Sequence, residues 1–287
     1  MTMLFKGGKG KKLDDDSEKS EATKIAYILS LSEEEAVLAL HNYVERGESG
    51  EMNFLIKTRR HFGIVADCVN EHNSLMVAAR DGMEDAIVVL SCYVRTLGDY
   101  NVKNKYGWTA LHFAALMGHD RIVDHLVKKG ADPNICNNDG QTPLHVAARE
   151  GHTNVIETLA FGKKWISVDD QDRNLCTALH LCVCWAPLGC LKAMLNFVKI
   201  DVDRKTKSGC TPLYCASYLG REEMVEVLLL YTKANVNAQN KTGDTPLHAA
   251  VRSGHVAVVE ILLGNKADIS IKNNDKMVAE DYATSSE

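Results

Sequence analysis

A four-residue phrase, Thr followed by Ala or Pro, then Leu, then His or Tyr, recurs five times and sets the period of the sequence. Its threonines are 33, 35, 34 and 34 residues apart. They are Thr109, Thr142, Thr177, Thr211 and Thr245. Self-similarity at a fixed period of this length is the signature of a repeat architecture, in which each unit packs on its neighbours. The sequence therefore predicts a stack of units.

Each unit reads as two helices and a turn. The threonine hydroxyl is expected to cap the first helix, and the proline fits the first helical position, where no amide partner is lost. A glycine nine residues after the threonine, as at Gly118 and Gly151, is expected to end that helix. An apolar cluster with a spacing near 3.6, such as Val258 to Leu263, predicts the second helix. The Asp/Asn-rich phrase that follows has turn composition.

A two-helix unit of this length with Thr-Pro-Leu-His, as at Thr142 to His145, resembles the ankyrin repeat over about residues 70–284. The resemblance implies an all-α ankyrin-repeat solenoid of stacked helix-turn-helix units with β-turn or hairpin fingers. It also implies that the recurrent histidine forms hydrogen bonds that tie neighbouring turns together. Such arrays bind proteins, so the resemblance implies a non-enzymatic interaction module.

The array has less regular ends. Residues 1–20, rich in Gly, Lys, Asp, Glu and Ser, are predicted to be a disordered charged tail. Residues 21–69 are predicted to be a helical capping repeat or a separate helical lead, with Ser32 as N-cap of a helix over 33–44. The repeat domain is predicted over 70–287. Its units are placed at about 70–103, 104–136, 137–171, 172–205, 206–239 and 240–272, with a partial cap at 273–284.

The unit that contains Thr177 departs most from the pattern. Leu175 stands where the other units have a turn glycine, and Ala186-Pro187 replaces Gly-His. Pro187 is expected to end the first helix in place of glycine. We expect the fold to survive with a distorted local turn.

Composition narrows the functional classes. The net charge is −5 and basic residues are interleaved with acidic ones, which disfavours nucleic-acid binding. Nine cysteines form no spaced disulfide framework and suit a reducing compartment, so a cytoplasmic location, with the nucleus as a further possibility, is predicted. No apolar run reaches the roughly 18 residues that cross a bilayer, so no membrane insertion is predicted.

The Thr177 unit also raises the question of a metal site. Cys176, His180, Cys182, Cys184 and Cys190 lie close in sequence and include types that bind zinc. However, Cys182 and Cys190 occupy positions filled by small or aliphatic residues in other units, where cysteine acts as a small hydrophobe. No metal, no cofactor and no catalytic residue is predicted, because familiar catalytic motifs are missing as well.

The predicted binding residues are those that the repeat pattern leaves free: turn tips and two residues late in each first helix. They are Tyr106, Trp108, Leu116, Met117, Arg149, Glu150, Cys184, Trp185, Tyr218, Leu219 and Arg252. Several are apolar where solvent is expected, which favours an apolar concave groove with a charged rim. The alternative is that they pack on neighbouring turns.

The leading functional hypothesis is a monomeric adaptor or scaffold that binds a protein or peptide partner. The alternative is the N-terminal recognition arm of a larger protein, such as a channel, lipid-transfer protein, ligase adaptor or kinase. Fold alone does not name the partner.

Overall fold

The structure is a computed structural model. It describes residues 24, 27–28, 30–48, 50–51, 55, 73–91, 100–162, 166–197 and 200–284. Helices and turns make up the regular structure of these residues, and they contain no strand. The predicted tail at 1–20 lies outside the described residues, as does part of the predicted segment 21–69.

The helices alternate as the repeat pattern predicts. Helix α1 spans Glu33–Glu45. Six pairs of a first and a second helix follow: α2 Ser74–Arg80 with α3 Glu84–Ser91, α4 Ala110–Met117 with α5 Asp120–Lys129, α6 Pro143–Glu150 with α7 Thr153–Gly162, α8 Ala178–Trp185 with α9 Leu188–Met194, α10 Pro212–Tyr218 with α11 Glu222–Tyr231, and α12 Pro246–Arg252 with α13 Val256–Gly264. A final turn of helix, α14, spans Asp281–Thr284. Among the described helices, none is long and apolar enough to cross a membrane.

The pairs stack in two layers, with first helices packed on first helices and second helices packed on second helices. The first helices meet through small side chains such as Ala114 and Ala147, which are completely buried and allow close approach. Second helices contribute larger aliphatic residues such as Ile122 and Leu159. Because each unit buries its apolar side against the next, the core is continuous along the stack.

The predicted caps are present. The Thr142 hydroxyl accepts a hydrogen bond from the backbone N–H of His145, at the start of α6. Gly151 ends the same helix in the left-handed conformation, with φ 80°. Thr109 and Gly118 do the same for α4. Each first helix therefore has a defined length, and this keeps the units in register.

The recurrent histidine ties four of the units to the unit or turn that follows. In α4, Nδ1 of His112 accepts from the Thr109 backbone N–H at 3.2 Å, and Nε2 donates to the carbonyl of Gln141 at 2.9 Å, in the turn that leads into α6. Equivalent bonds run from His145 to Cys176, from His180 to Cys210 and from His248 to Met277, each at 3.1 Å. The structural role that the resemblance implied for these histidines is confirmed.

The helix predicted after Ser32 is confirmed. The Ser32 hydroxyl accepts from the backbone N–H of Glu35, and the Glu35 carboxylate accepts from the backbone N–H of Ser32. Helix α1 packs on α2, and its Leu40 and Val44 are buried in the shared core. Whether this segment is a diverged repeat or a separate lead stays a prediction.

The distortion predicted for the Thr177 unit is local. Leu175 has φ 57°, in the left-handed region that glycine occupies in the equivalent turns. Helix α8 ends at Trp185, and Pro187 is the N-cap of α9. Proline has no N–H to donate. In three other units a histidine at this position donates to the preceding unit, as His152 does to the carbonyl of Leu116 at 2.8 Å. The junction between α6 and α8 therefore lacks one tie.

We expect Leu175→Gly to raise the free energy of unfolding by roughly 0.5–1 kcal/mol. The left-handed conformation costs a side-chain-bearing residue about 1–2 kcal/mol, and the greater freedom of glycine in the unfolded chain offsets part of that gain. Urea unfolding measures the change. Gly107→Ala is the opposing control, because a Cβ there would lie 2.7 Å from the backbone nitrogen of Asn138. A less stable Leu175→Gly protein would contradict this account of the turn.

The histidine ties predict a loss of stability in acid. Burial lowers the pKa of His112 from 6.5 to about 4, although the bond to Gln141 opposes the shift. Burial lowers the pKa of His145 and of His180 in the same direction. Between about pH 6.5 and pH 4, the unfolded chain binds more protons than the folded chain, because the histidine pKa is higher in the unfolded chain. The free energy of unfolding therefore falls as the pH decreases through this range.

From pH 7.5 to pH 5, His112 alone is expected to cost about 2 kcal/mol of unfolding free energy. Urea unfolding at the two pH values measures this loss, and the loss should be smaller in His112→Asn. Equal losses in the wild type and the variant would show that His112 does not titrate as described.

Candidate protein-binding groove

A depression of about 440 Å³ lies on the first-helix layer, across α8, α10 and α12. We name it the Trp185 groove. Its lining residues are Cys184, Trp185, Cys210, Tyr214, Cys215, Tyr218, Leu219 and Arg252. Five of the predicted binding residues, Cys184, Trp185, Tyr218, Leu219 and Arg252, therefore share one surface. Its walls are mostly apolar and it is open to solvent.

The exposed side chains of the groove follow from the helix register. In α8, Cys182 and Val183 face the core and are fully buried, so the next two residues leave the helix on its outer side. Trp185 is 69% exposed, and Tyr218 and Leu219, at the same register of the next unit, are 50% and 44% exposed. A contiguous set of large exposed apolar residues commonly marks an interaction surface.

Arg252 forms one wall and is held in place by its neighbours. Its guanidinium lies 3.0 Å from the carboxylate of Asp244 and donates to the hydroxyl of Tyr214 at 3.1 Å. Asp244 is buried and also accepts from the side-chain amide of Asn273 at 2.8 Å. Burial raises the pKa of Tyr214 to about 12, so the phenol is neutral and accepts this bond. The Arg252 side chain is therefore held in one position, and its positive charge is balanced by the carboxylate of Asp244.

Other predicted rim charges are also paired within the protein. The guanidinium of Arg149 donates to the carboxylate of Glu150 at 2.8 Å and to the side-chain oxygen of Gln141 at 3.4 Å. The charges are therefore present where the sequence placed them, but in pairs. Such a rim offers no cluster of free cations for a phosphate.

The remaining predicted residues lie outside the lining of the Trp185 groove. Tyr106 is 52% exposed at a turn tip, and Met117 is 48% exposed at the end of α4 beside the half-buried Leu116. Trp108 is half-buried, and its ring centroid lies 5.3 Å from that of Phe113, which is buried. Trp108 therefore packs in part on the first helix of its own unit.

Three groove residues were missed by the sequence argument: Cys210, Tyr214 and Cys215. Tyr214 carried a signal, because it replaces the histidine of the repeated phrase. No sequence signal singles out Cys210 or Cys215, because their half-buried state depends on how α8 and α10 stack.

Metal binding finds no support in the geometry of the Thr177 unit. No group of three or more His, Cys, Asp or Glu residues in the described part of the chain is arranged to hold a metal ion. Nδ1 of His180 contacts Thr177, and Nε2 contacts the Cys210 carbonyl, so both ring nitrogens are engaged. Cys182 and Cys190 are buried, in the positions predicted for small hydrophobes.

Comparisons with known proteins agree with this architecture. A family model that describes three consecutive ankyrin repeats matches the chain in four overlapping places, at residues 40–137, 76–172, 121–206 and 186–273. The chain belongs to the ankyrin-repeat family, whose members are generally protein–protein interaction modules and typically non-catalytic. No curated protein matches the sequence.

Two similar solved structures are themselves ankyrin repeat domains. The ankyrin repeat domain of Bcl-3, described as a unique member of the IkappaB protein family, is 28% identical with a TM-score of 0.66, over 71% of this chain and 91% of that chain. The human ASB11 ankyrin repeat domain is 29% identical with a TM-score of 0.60, over 73% of this chain and 90% of that one.

We expect Arg252→Ala to lower the free energy of unfolding by about 1–2 kcal/mol, because Asp244 would remain buried without its cation. Arg149→Ala is the matched control. Its partner Glu150 is 38% exposed, and a solvated pair of this kind contributes less than about 1 kcal/mol. Urea unfolding of both variants measures the difference, and equal losses would show that the Arg252 wall adds no rigidity.

Proposed function

We propose that this protein is a non-catalytic adaptor whose Trp185 groove binds a short apolar segment, a peptide or one helix, of a partner protein. The observation that carries the proposal is the set of exposed side chains on adjacent units. Trp185 and Tyr218 are large aromatic residues exposed on one face around a shared depression. Tryptophan and tyrosine are the residue types that most often anchor an interface.

The shape of the groove supports a peptide over a small enclosed ligand. Its volume of about 440 Å³ is in the lower part of the range for ligand pockets, roughly 300–1,000 Å³, and it is open rather than enclosed. An open depression of this size accommodates a few side chains of a longer segment. The segment would continue along the first-helix layer in either direction.

Electrostatics supports an apolar segment with little net charge. Arg252, the charged residue of the groove lining, is neutralised by Asp244. On the adjacent helix α6, Arg149 is paired with Glu150, so this part of the first-helix layer presents a rim of paired charges. Such a rim disfavours an isolated buried charge on the partner, since no free counter-charge is at hand. It also gives no basis for nucleic-acid recognition.

We also propose a cytoplasmic location and a monomeric state for this module. The seven cysteines in the described residues are all free thiols, as a reducing compartment would leave them. Imaging of the tagged full chain and its sedimentation velocity test the two statements.

We expect the double variant Trp185→Ala/Tyr218→Ala to weaken partner binding by at least about 2 kcal/mol, or roughly 30-fold, because both anchors are removed. Proximity labelling in cells with the full chain identifies proteins that the wild type enriches and this variant loses. The purified partner is then titrated against both proteins, with circular dichroism verifying the fold.

The matched control is Leu230→Ala/Tyr231→Ala, which removes two side chains that are 69% and 76% exposed on the second-helix layer. The control should keep the partner. The groove assignment is wrong if the folded Trp185/Tyr218 variant binds with unchanged affinity, or if both variants lose binding equally.

A further inference from the structure

The Trp185 groove contains a group of thiols that its proposed role as a binding surface does not use. Cys184, Cys210 and Cys215 all line it and are half-buried. By contrast, Cys182 and Cys190 of the same region are buried in the core. A reagent that enters the groove therefore reaches three thiols and is excluded from the other two.

Two of these thiols touch across the junction between neighbouring units. Cys184 lies seven residues after Thr177 in α8, and Cys215 lies four residues after Thr211 in α10. Both thiols line the same groove, and each is the largest influence on the pKa of the other, so the two side chains lie close together. At the same two positions, the other junctions of the five clear repeats carry Leu116 with Val146, Arg149 with Leu181, and Tyr218 with Ala249. The paired cysteines are thus particular to the groove.

The surroundings distinguish Cys184 from the other thiols. The hydrogen bond from Cys215 and the positive charge of Arg221 lower the pKa of Cys184, against the opposing effect of burial. Arg221 is fixed there, because its guanidinium donates to the carbonyls of Val183 at 3.0 Å and Ala186 at 2.7 Å. The hydrogen bond to Cys184 and burial raise the pKa of Cys215, and burial raises that of Cys210. Since the thiolate is the nucleophile, Cys184 is the expected reactive thiol.

We propose that Cys184 and Cys215 form a peroxide-sensitive thiol pair in the Trp185 groove, with Cys184 as the attacking thiol and Cys215 as the resolving thiol. The Cys184 thiolate attacks one oxygen of hydrogen peroxide, the O–O bond breaks, and hydroxide leaves, which gives a sulfenic acid. The Cys215 thiol then attacks that sulfur. The S–S bond forms, the S–O bond breaks, and water leaves with the Cys215 proton.

Oxidation would change the groove directly. The new bond joins α8 to α10 between Trp185 and Tyr218, so the two anchors would be locked at one separation. The predicted effect on partner binding rests on the proposed function of the groove. The thiol chemistry is tested independently of partner binding, because mass spectrometry detects the modified cysteines directly.

Thiol reactivity is tested first, on the purified and fully reduced chain. A limiting amount of iodoacetamide at pH 7, followed by peptide mapping, should modify Cys184 at least ten times faster than Cys210. In guanidinium the two rates should converge. Equal rates in the folded protein would overturn the assignment of Cys184 as the attacking thiol.

Oxidation is tested next. Hydrogen peroxide should remove two hydrogens from the chain and link the peptides that contain Cys184 and Cys215. In Cys215→Ser, the sulfenic acid at Cys184 should accumulate and be trapped by dimedone. Cys210→Ser is the matched control in the same groove and should still form the disulfide. A disulfide between other cysteines, or no dimedone adduct in Cys215→Ser, would overturn the pair.

A final measurement separates the two proposals. Once a partner is identified, its affinity is measured for the reduced chain and for the peroxide-treated chain. We expect at least a tenfold change. If the disulfide forms but the affinity is unchanged, the groove is not the binding surface, and the thiol pair remains.

Discussion

The stack depends on one recurring interaction, the buried histidine whose Nε2 donates to a carbonyl in the next unit. This bond satisfies a polar group inside the core and fixes the rotation of each unit relative to its neighbour, which apolar packing alone leaves loosely defined. Because the rotation is fixed, residues at the same register in successive units lie side by side. The line of exposed residues at the ends of the first helices is a consequence of that register.

The Trp185 groove forms in the part of the stack where several residues differ from the repeat pattern. Tyr214 replaces the histidine, so its hydroxyl is available to Arg252, and Arg252 in turn reaches the buried Asp244. The side chains that give the groove its shape are therefore those that the repeated phrase does not dictate. A binding surface built this way can change without loss of the stack, since the core positions stay the same.

The sequence predicted the architecture well because its signals are local. Thr142 caps and Gly151 ends a helix within a span of ten residues, and both act through backbone geometry that each residue type favours. Leu175 was correctly singled out as a departure, although its left-handed backbone could not be read from its identity. The pairing of Arg149 with Glu150 depends on rotamers, which periodicity does not encode. The contact between Cys184 and Cys215 depends on the offset between stacked helices, which only packing supplies.

The junctions along the stack differ in how many side-chain ties they hold. His112 and His152 both bridge α4 and α6, and His180 and Arg221 both bridge α8 and α10. Pro187 removes one such bridge from the junction between α6 and α8, which keeps the bond from His145 to the carbonyl of Cys176. The junction between α10 and α12 holds two bridges, from Arg252 to the Tyr214 hydroxyl and from His255 to the carbonyl of Tyr218. Elastic bending of the solenoid should therefore concentrate at the junction between α6 and α8. The three helices of the groove would then move as one body, and their tilt relative to the units that precede them can adjust to the curvature of what the groove holds.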